Sequence, residues 1–200
     1  GDEFVIGQEM PAGYDVYSQR VSSQGVGVTL GPEQPVSAQS GDQVVPDVAV
    51  NPESGDFLIV WNNLNVSPAS IRGRVQARDG ALGGGFVVSS STSVDRYDPA
   101  VAFSPDQGED GEWLVLFWRN ISDDTQIAGR QVAAAGGATG DLLHICNEAG
   151  NQFYPDLVYN SQSKEYLAVW ADDRAGGTDL SIYGQRLDRS AGALGSSFRI

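Results

Sequence analysis

Stretches of helical period are missing from this 200-residue chain, and so is any apolar run near the roughly 18 residues that a membrane span needs. Cysteine occurs once, at Cys146, which excludes an internal disulfide framework and a paired-cysteine metal site. Histidine also occurs once, at His144. The pair would share one side of a strand, but zinc needs three or four protein ligands and a thiol nucleophile needs an orienting third group. Cys146, inside the apolar run LLHIC, reads as a small buried hydrophobe. Positive charge is scarce: Lys164 is the only lysine, and 12 Lys and Arg face 26 Asp and Glu, for a formal net charge of −14. Phosphate contacts need clustered Lys and Arg, so this balance argues against nucleic acid, and an anionic membrane surface is equally ill-suited. The charge reads as solubility in an extracellular or salty setting. The chain starts at Gly1 with no apolar signal region, as a mature secreted protein or an excised fragment would.

What is present is a repeat. Pro46, Pro99 and Pro155 open PDVAV, PAVAF and PDLVY, and Trp61, Trp118 and Trp170 close FLIVW, LVLFW and YLAVW. A third anchor recurs as VYSQRV from Val16, IRGRV from Ile71, IAGRQV from Ile127 and IYGQRL from Ile182. With Ser18, Gly73, Gly129 and Gly184 taken as equivalent, the steps are 55, 56 and 55 residues. Periods of this size mark repeat architectures. The units run approximately 1–38, 39–91, 92–147 and 148–200, within a single domain.

Each unit reads as four short extended runs, a to d, separated by turn residues. The c to d turns carry Asp79-Gly80, Gly136-Gly137 and Ala191-Gly192, suited to the positive φ of tight hairpins. Run b, as in FLIVW and WLVLFW, is apolar on both sides, so both faces must be covered. Four-stranded sheets packed face to face around an axis do this, and the expected fold is an all-β propeller of about four four-stranded blades. The mid-strand glycines Gly73, Gly129 and Gly184 mark bulges or close backbone approach. The first unit has no run a: Asp2 to Ile6 aligns with run b, so that blade lacks its inner strand. An unpaired edge of this kind invites a strand from a neighbouring subunit, and with it a homo-oligomer.

The segments PDLVYN, YLAVWADDR, IYGQRL and GALGSSFRI resemble the repeats, about 50 residues long, of large secreted prokaryotic multi-repeat proteins that form β-propellers and are mostly of unassigned role. The similarity covers nearly the whole chain and is loosest in the first unit. It implies a propeller and an extracellular or cell-surface location, and it brings no reaction and no catalytic residues.

In such a ring the b to c and d to a loops emerge on one face, gathering Asp42, Asp95, Asp98, Asp123, Asp124, Asp172, Asp173 and Asp179 toward one rim. Grouped carboxylates can hold calcium, and Asp172, Asp173 and Asp179 are the candidate ligands, although no DxDxDG loop occurs and Asp is an ordinary turn residue. No other cofactor is expected. The sequons at Asn65 and Asn120 fall in equivalent b to c loops and are candidate glycosylation sites. SPDQGEDGEW from Ser104 resembles the Asp-box of sialidase-type propellers with two extra residues before Trp113, and such a box is a folding element. The expected function is a secreted, non-enzymatic module for binding or assembly, with a protein or glycan at the loop face. The alternative is a carbohydrate-active propeller, either lectin or glycoside hydrolase, using aromatics and paired carboxylates.

Overall fold

The computed structural model describes the backbone of residues 2–9, 13–24, 27–122, 124–174 and 180–200. These residues form four antiparallel sheets, and no helix occurs among them. The first sheet has three strands, β1 (Asp2–Glu9), β2 (Asp15–Gln24) and β3 (Gly27–Ser37). The second holds β4 (Gln43–Val50), β5 (Phe57–Asn63), β6 (Ser70–Gln76) and β7 (Leu82–Ser89). The third holds β8 (Arg96–Ser104), β9 (Glu112–Ile121), β10 (Asp124–Ala133) and β11 (Ala138–Cys146). The fourth holds β12 (Gln152–Asn160), β13 (Glu165–Asp172), β14 (Ser181–Asp188) and β15 (Phe198–Arg199). Within every sheet the strands lie in chain order, so each is a meander joined by short hairpins.

The hairpins that close the sheets follow one pattern. The N–H groups of Gly80, Gly136 and Ala191 donate to the carbonyls of Ala77, Ala133 and Asp188, each at 2.8 Å. All three turn residues have positive φ, at 96°, 96° and 64°. Glycine reaches that region freely, whereas Ala191 does so against the clash of its Cβ.

The sheets are held together by a layer of apolar side chains between each consecutive pair. Ile59 and Trp61 of the second sheet meet Val16 and Val36 of the first. Leu58 and Val60 meet Trp113, Val115 and Phe117 of the third, whose Leu114 and Leu116 meet Tyr166, Ala168 and Trp170 of the fourth. β5 and β9 are thus apolar on both sides because each serves two layers. The register corrects one expectation: the residue equivalent to Trp61 and Trp170 is Phe117, while Trp118 lies one position further on. Val60, Leu116 and Val169 pair with Gly73, Gly129 and Gly184, and the residues that follow them are Trp61, Phe117 and Trp170.

The glycines themselves answer to side chains of the adjoining strands in their own sheets. A Cβ on Gly73 would come within 3.0 Å of the Phe86 ring, one on Gly129 within 3.0 Å of Leu116, and one on Gly184 within 3.2 Å of Phe198. These side chains lie over bare backbone, so the glycines are packing positions.

β4 packs on β8 and β8 on β12, making these first strands the inner ones, while β1 and β2 lie beside β4. The first sheet and the fourth make no comparable contact among the described residues. The outward face of the fourth sheet is accordingly bare. Leu58 and Leu114 are 0% and 1% exposed, but their counterpart Leu167 is 36% exposed; Ile71 and Ile127 are 0% and 1% exposed, but Ile182 is 48% exposed.

Candidate functional site at the axial mouth

All three inner strands open with the same course. A buried polar residue (Gln43, Arg96, Gln152) leads, and two residues later comes one at positive φ: Val45 at 51°, Asp98 at 49° and Tyr154 at 52°. Pro46, Pro99 and Pro155 follow. The ladder gains one extra residue at each place, between Val44 and Asp47, Tyr97 and Ala100, and Phe153 and Asp156. This is a β-bulge, and proline suits it because it lacks the N–H that an unbroken ladder would need.

The buried polar residues tie the preceding loop to the strand. Gln43 Nε2 donates to the carbonyls of Gln39 and Gly41. Arg96 Nε donates to Ser89 Oγ at 2.7 Å and its Nη1 to the Val94 carbonyl at 2.8 Å, and Gln152 Nε2 donates to the Glu148 carbonyl. Neighbouring sheets clamp the same backbone. Asn62 Oδ1 accepts the N–H of Asp98 at 2.8 Å and its Nδ2 donates to the Arg96 carbonyl at 2.9 Å. Thr125 Oγ1 donates to the Gln152 carbonyl and accepts the Gln152 N–H, both at 2.9 Å.

Just past the bulges stand Asp47, Ala100 and Asp156 in equivalent register positions. Asp47 Oδ2 accepts the N–H of Val101 at 2.8 Å, bridging β4 to β8, and Asp156 Oδ1 accepts the N–H of Leu157 at 2.8 Å. Burial pushes the Asp47 carboxyl above the usual carboxylate range, the N–H groups of Val101 and Val48 pull it part of the way back, and the charge of Asp156 adds to the rise. A line of aromatic rings spans the opening segments of β8 and β12 and the end of β9. Tyr97 and Trp118 are 4.6 Å apart between centroids, Trp118 and Phe153 5.4 Å edge to face, and Phe153 and Tyr154 5.9 Å. The Trp118 indole N–H donates to Asp98 Oδ2 at 2.7 Å.

The acidic rim expected from the loops is distributed differently. Asp172 is fully buried: Trp170 Nε1 donates to it at 2.8 Å, and Arg174 donates from its backbone N–H, Nε and Nη2, the last at 2.6 Å. Burial pushes its carboxyl up, but the Arg174 and Trp170 hydrogen bonds outweigh that and hold it below the usual range. Asp173 accepts the N–H of Asn151 at 2.5 Å and its Nδ2 at 2.8 Å. Asp42 and Asp95 accept the N–H groups of Tyr14 and Ala69. These carboxylates staple loops together. Asp123 and Asp179 lie outside the described residues, and among the described residues no three His, Cys, Asp or Glu side chains come together as a metal site would require. Asn65 and Asn120 are exposed.

A bulge also separates Cys146 from His144. Opposite Ile127 and Ala128, adjacent residues that face opposite ways, they do not share a side. Cys146 packs in the layer between the third and fourth sheets, its thiol pushed up by burial, whereas His144 Nδ1 meets Arg119 at 3.0 Å. The Asp-box-like segment supplies Asp106, which accepts from Lys164 Nζ at 2.7 Å and the Tyr159 hydroxyl at 2.8 Å, a tie between the third and fourth sheets.

No family model matches the chain, and no curated protein does. Solved structures do. An endo-arabinanase of glycoside hydrolase family 43 from Bacillus licheniformis superposes with a TM-score of 0.58 at 15% identity, over 100% of this chain and 76% of its own. The fold is a β-propeller. A thermostable family-43 glycoside hydrolase gives a TM-score of 0.56 at 12% identity, over 92% of this chain and 72% of its own. An N-acetylgalactosamine deacetylase from F. plautii, in complex with blood group B trisaccharide, gives 0.60 at 12% identity over 96% and 67%. The family-43 propellers have five blades, and the described residues of this chain form four sheets. The propeller's neighbours overturn the expectation of a non-enzymatic assembly module, because they are carbohydrate-active proteins, and they favour the carbohydrate-active alternative. Sequence reasoning named neither Asp47 nor Asp156 as site residues, although Pro46-Asp47 and Pro155-Asp156 stood in its anchor segments.

Proposed function

We propose that this propeller is carbohydrate-active and works on a glycan at the axial mouth, as a glycoside hydrolase in which Asp47 carries the proton and Asp156 is its ionised partner. One observation carries the reading: two carboxylates occupy the same register position on two inner strands, and Asp47 is held toward its protonated form by burial with Asp156 charge nearby. Ala100, in that position on the strand between, places no third carboxylate there. Glycoside cleavage uses such a division of labour, with one carboxyl protonated to donate to the leaving oxygen and another ionised to act as base or nucleophile. Asp47 Oδ2 is engaged by the Val101 N–H, so the donated proton belongs on Oδ1. The likeness to carbohydrate-active propellers supports the substrate class, and a net charge of −14 favours an uncharged glycan over a polyanionic one. An extracellular location, and glycosylation at exposed Asn65 and Asn120, would suit such a substrate.

The test is a reducing-end assay on arabinan, xylan and β-1,2-linked mannan with the wild-type chain, Asp47→Asn and Asp156→Asn. Turnover of one substrate, reduced more than about 100-fold in each variant while the fold is retained, supports the assignment. Turnover unchanged in both variants refutes the residue roles. Binding without turnover supports a lectin in place of the hydrolase.

A further inference from the structure

We infer that Tyr154 is the stacking platform for a sugar ring at the axial mouth, an assignment that rests on the carbohydrate reading above. Tyr154 is 65% exposed, yet it sits within an inner strand two residues from Asp156. Its φ of 52° is one that a residue with a Cβ resists and that glycine would adopt freely, so folding alone does not call for a tyrosine there. Backbone held in a sparsely populated region concentrates at functional sites.

The nearest ring neighbours of Tyr154 are themselves part of an aromatic line. Phe153 lies 5.9 Å from the Tyr154 ring, Trp118 meets Phe153 edge to face at 5.4 Å, and the Trp118 indole is anchored by Asp98 at 2.7 Å. Pro155 limits the backbone on the other side. An exposed tyrosine presents a flat apolar face with only two side-chain torsions to immobilise on binding, which is how aromatic residues serve recognition surfaces. The two equivalent positions show the contrast. Val45 takes the same left-handed backbone with a small aliphatic side chain, and the Asp98 carboxylate is committed to Trp118. Of the three, Tyr154 alone offers a face to the C–H side of a pyranose or furanose, on the strand that carries Asp156.

Binding of xylohexaose, mannohexaose and arabinohexaose, measured by calorimetry for wild type and for Tyr154→Ala, Tyr154→Gly and Tyr154→Trp, tests this. The oligosaccharide bound by wild type should bind at least about tenfold more weakly to the alanine and glycine variants and within about threefold as well to the tryptophan variant. The glycine variant relieves the backbone, so its melting temperature should equal or exceed that of wild type, which separates lost recognition from lost folding. Wild-type affinity in Tyr154→Ala refutes the platform while leaving the carbohydrate reading intact. Failure of wild type to bind any of the three overturns both.

Discussion

At the scale of single residues, left-handed backbone and buried charge are the two features whose energetics can be read directly. Ala191 stands where the other two closing hairpins have glycine, at φ 64° against 96° and 96°. Ala191→Gly should therefore stabilise the chain by about 1 kcal/mol and raise its melting temperature by about 2–4 °C in a calorimetric scan. Asp47 and Asp172 behave oppositely with pH. The Asp47 pKa is raised by folding, so its contribution is fully present below the unfolded value near 4 and is lost as pH rises through the folded value. Asp47→Asn keeps an acceptor for the Val101 N–H, and should gain stability over wild type at pH 8 but not at pH 3.5, seen as a melting difference that opens across that interval. The Asp172 pKa is lowered, so its stabilisation is present above about pH 4 and is lost as pH falls through the folded value. Asp172→Ala takes the 2.6 Å ionic partner from Arg174, leaving Glu148 at 4.0 Å, and should cost about 3 kcal/mol at pH 7, measured by urea unfolding, with a smaller penalty near pH 2.5. The sequence showed a carboxylate cluster here and suggested calcium. It could not show that Arg174 would fold back across Asp172, because that pairing is made by a loop.

At the scale of strands, much was legible and one step was not. The two-sided apolar character of the second strands announced their sandwiching, and the glycines announced close packing. Trp118 misled because LVLFW aligns by eye with FLIVW, whereas pairing with Gly129 puts Phe117 in the layer between the sheets. Denaturant unfolding should separate the two: Phe117→Ala and Trp170→Ala should each cost about 3–5 kcal/mol, and Trp118→Ala, at a half-buried position, distinctly less. The bulges were invisible for a physical reason. Val45, Asp98 and Tyr154 adopt a conformation that their local preferences oppose, so only the packing of the sheets specifies it. Their prolines were taken as the openings of the inner strands, which begin three residues earlier in each sheet.

At the scale of the molecule, the repeat spacing was enough to give the number of sheets and their order, because each sheet needs only its neighbours. The axial carboxylates were hidden because they come from segments about 109 residues apart and come within electrostatic reach only once the strands are set around a common axis. Such a stack resembles a short pile of plates, and its two ends are held less firmly than its middle. The uncovered stripe along Leu167 and Ile182 marks one of those ends. Fraying should start there: backbone amides of β14 and β15 should exchange deuterium soonest and those of β9 and β10, pressed on both sides, last. Uniform exchange across the four sheets would mean that the stack opens all at once.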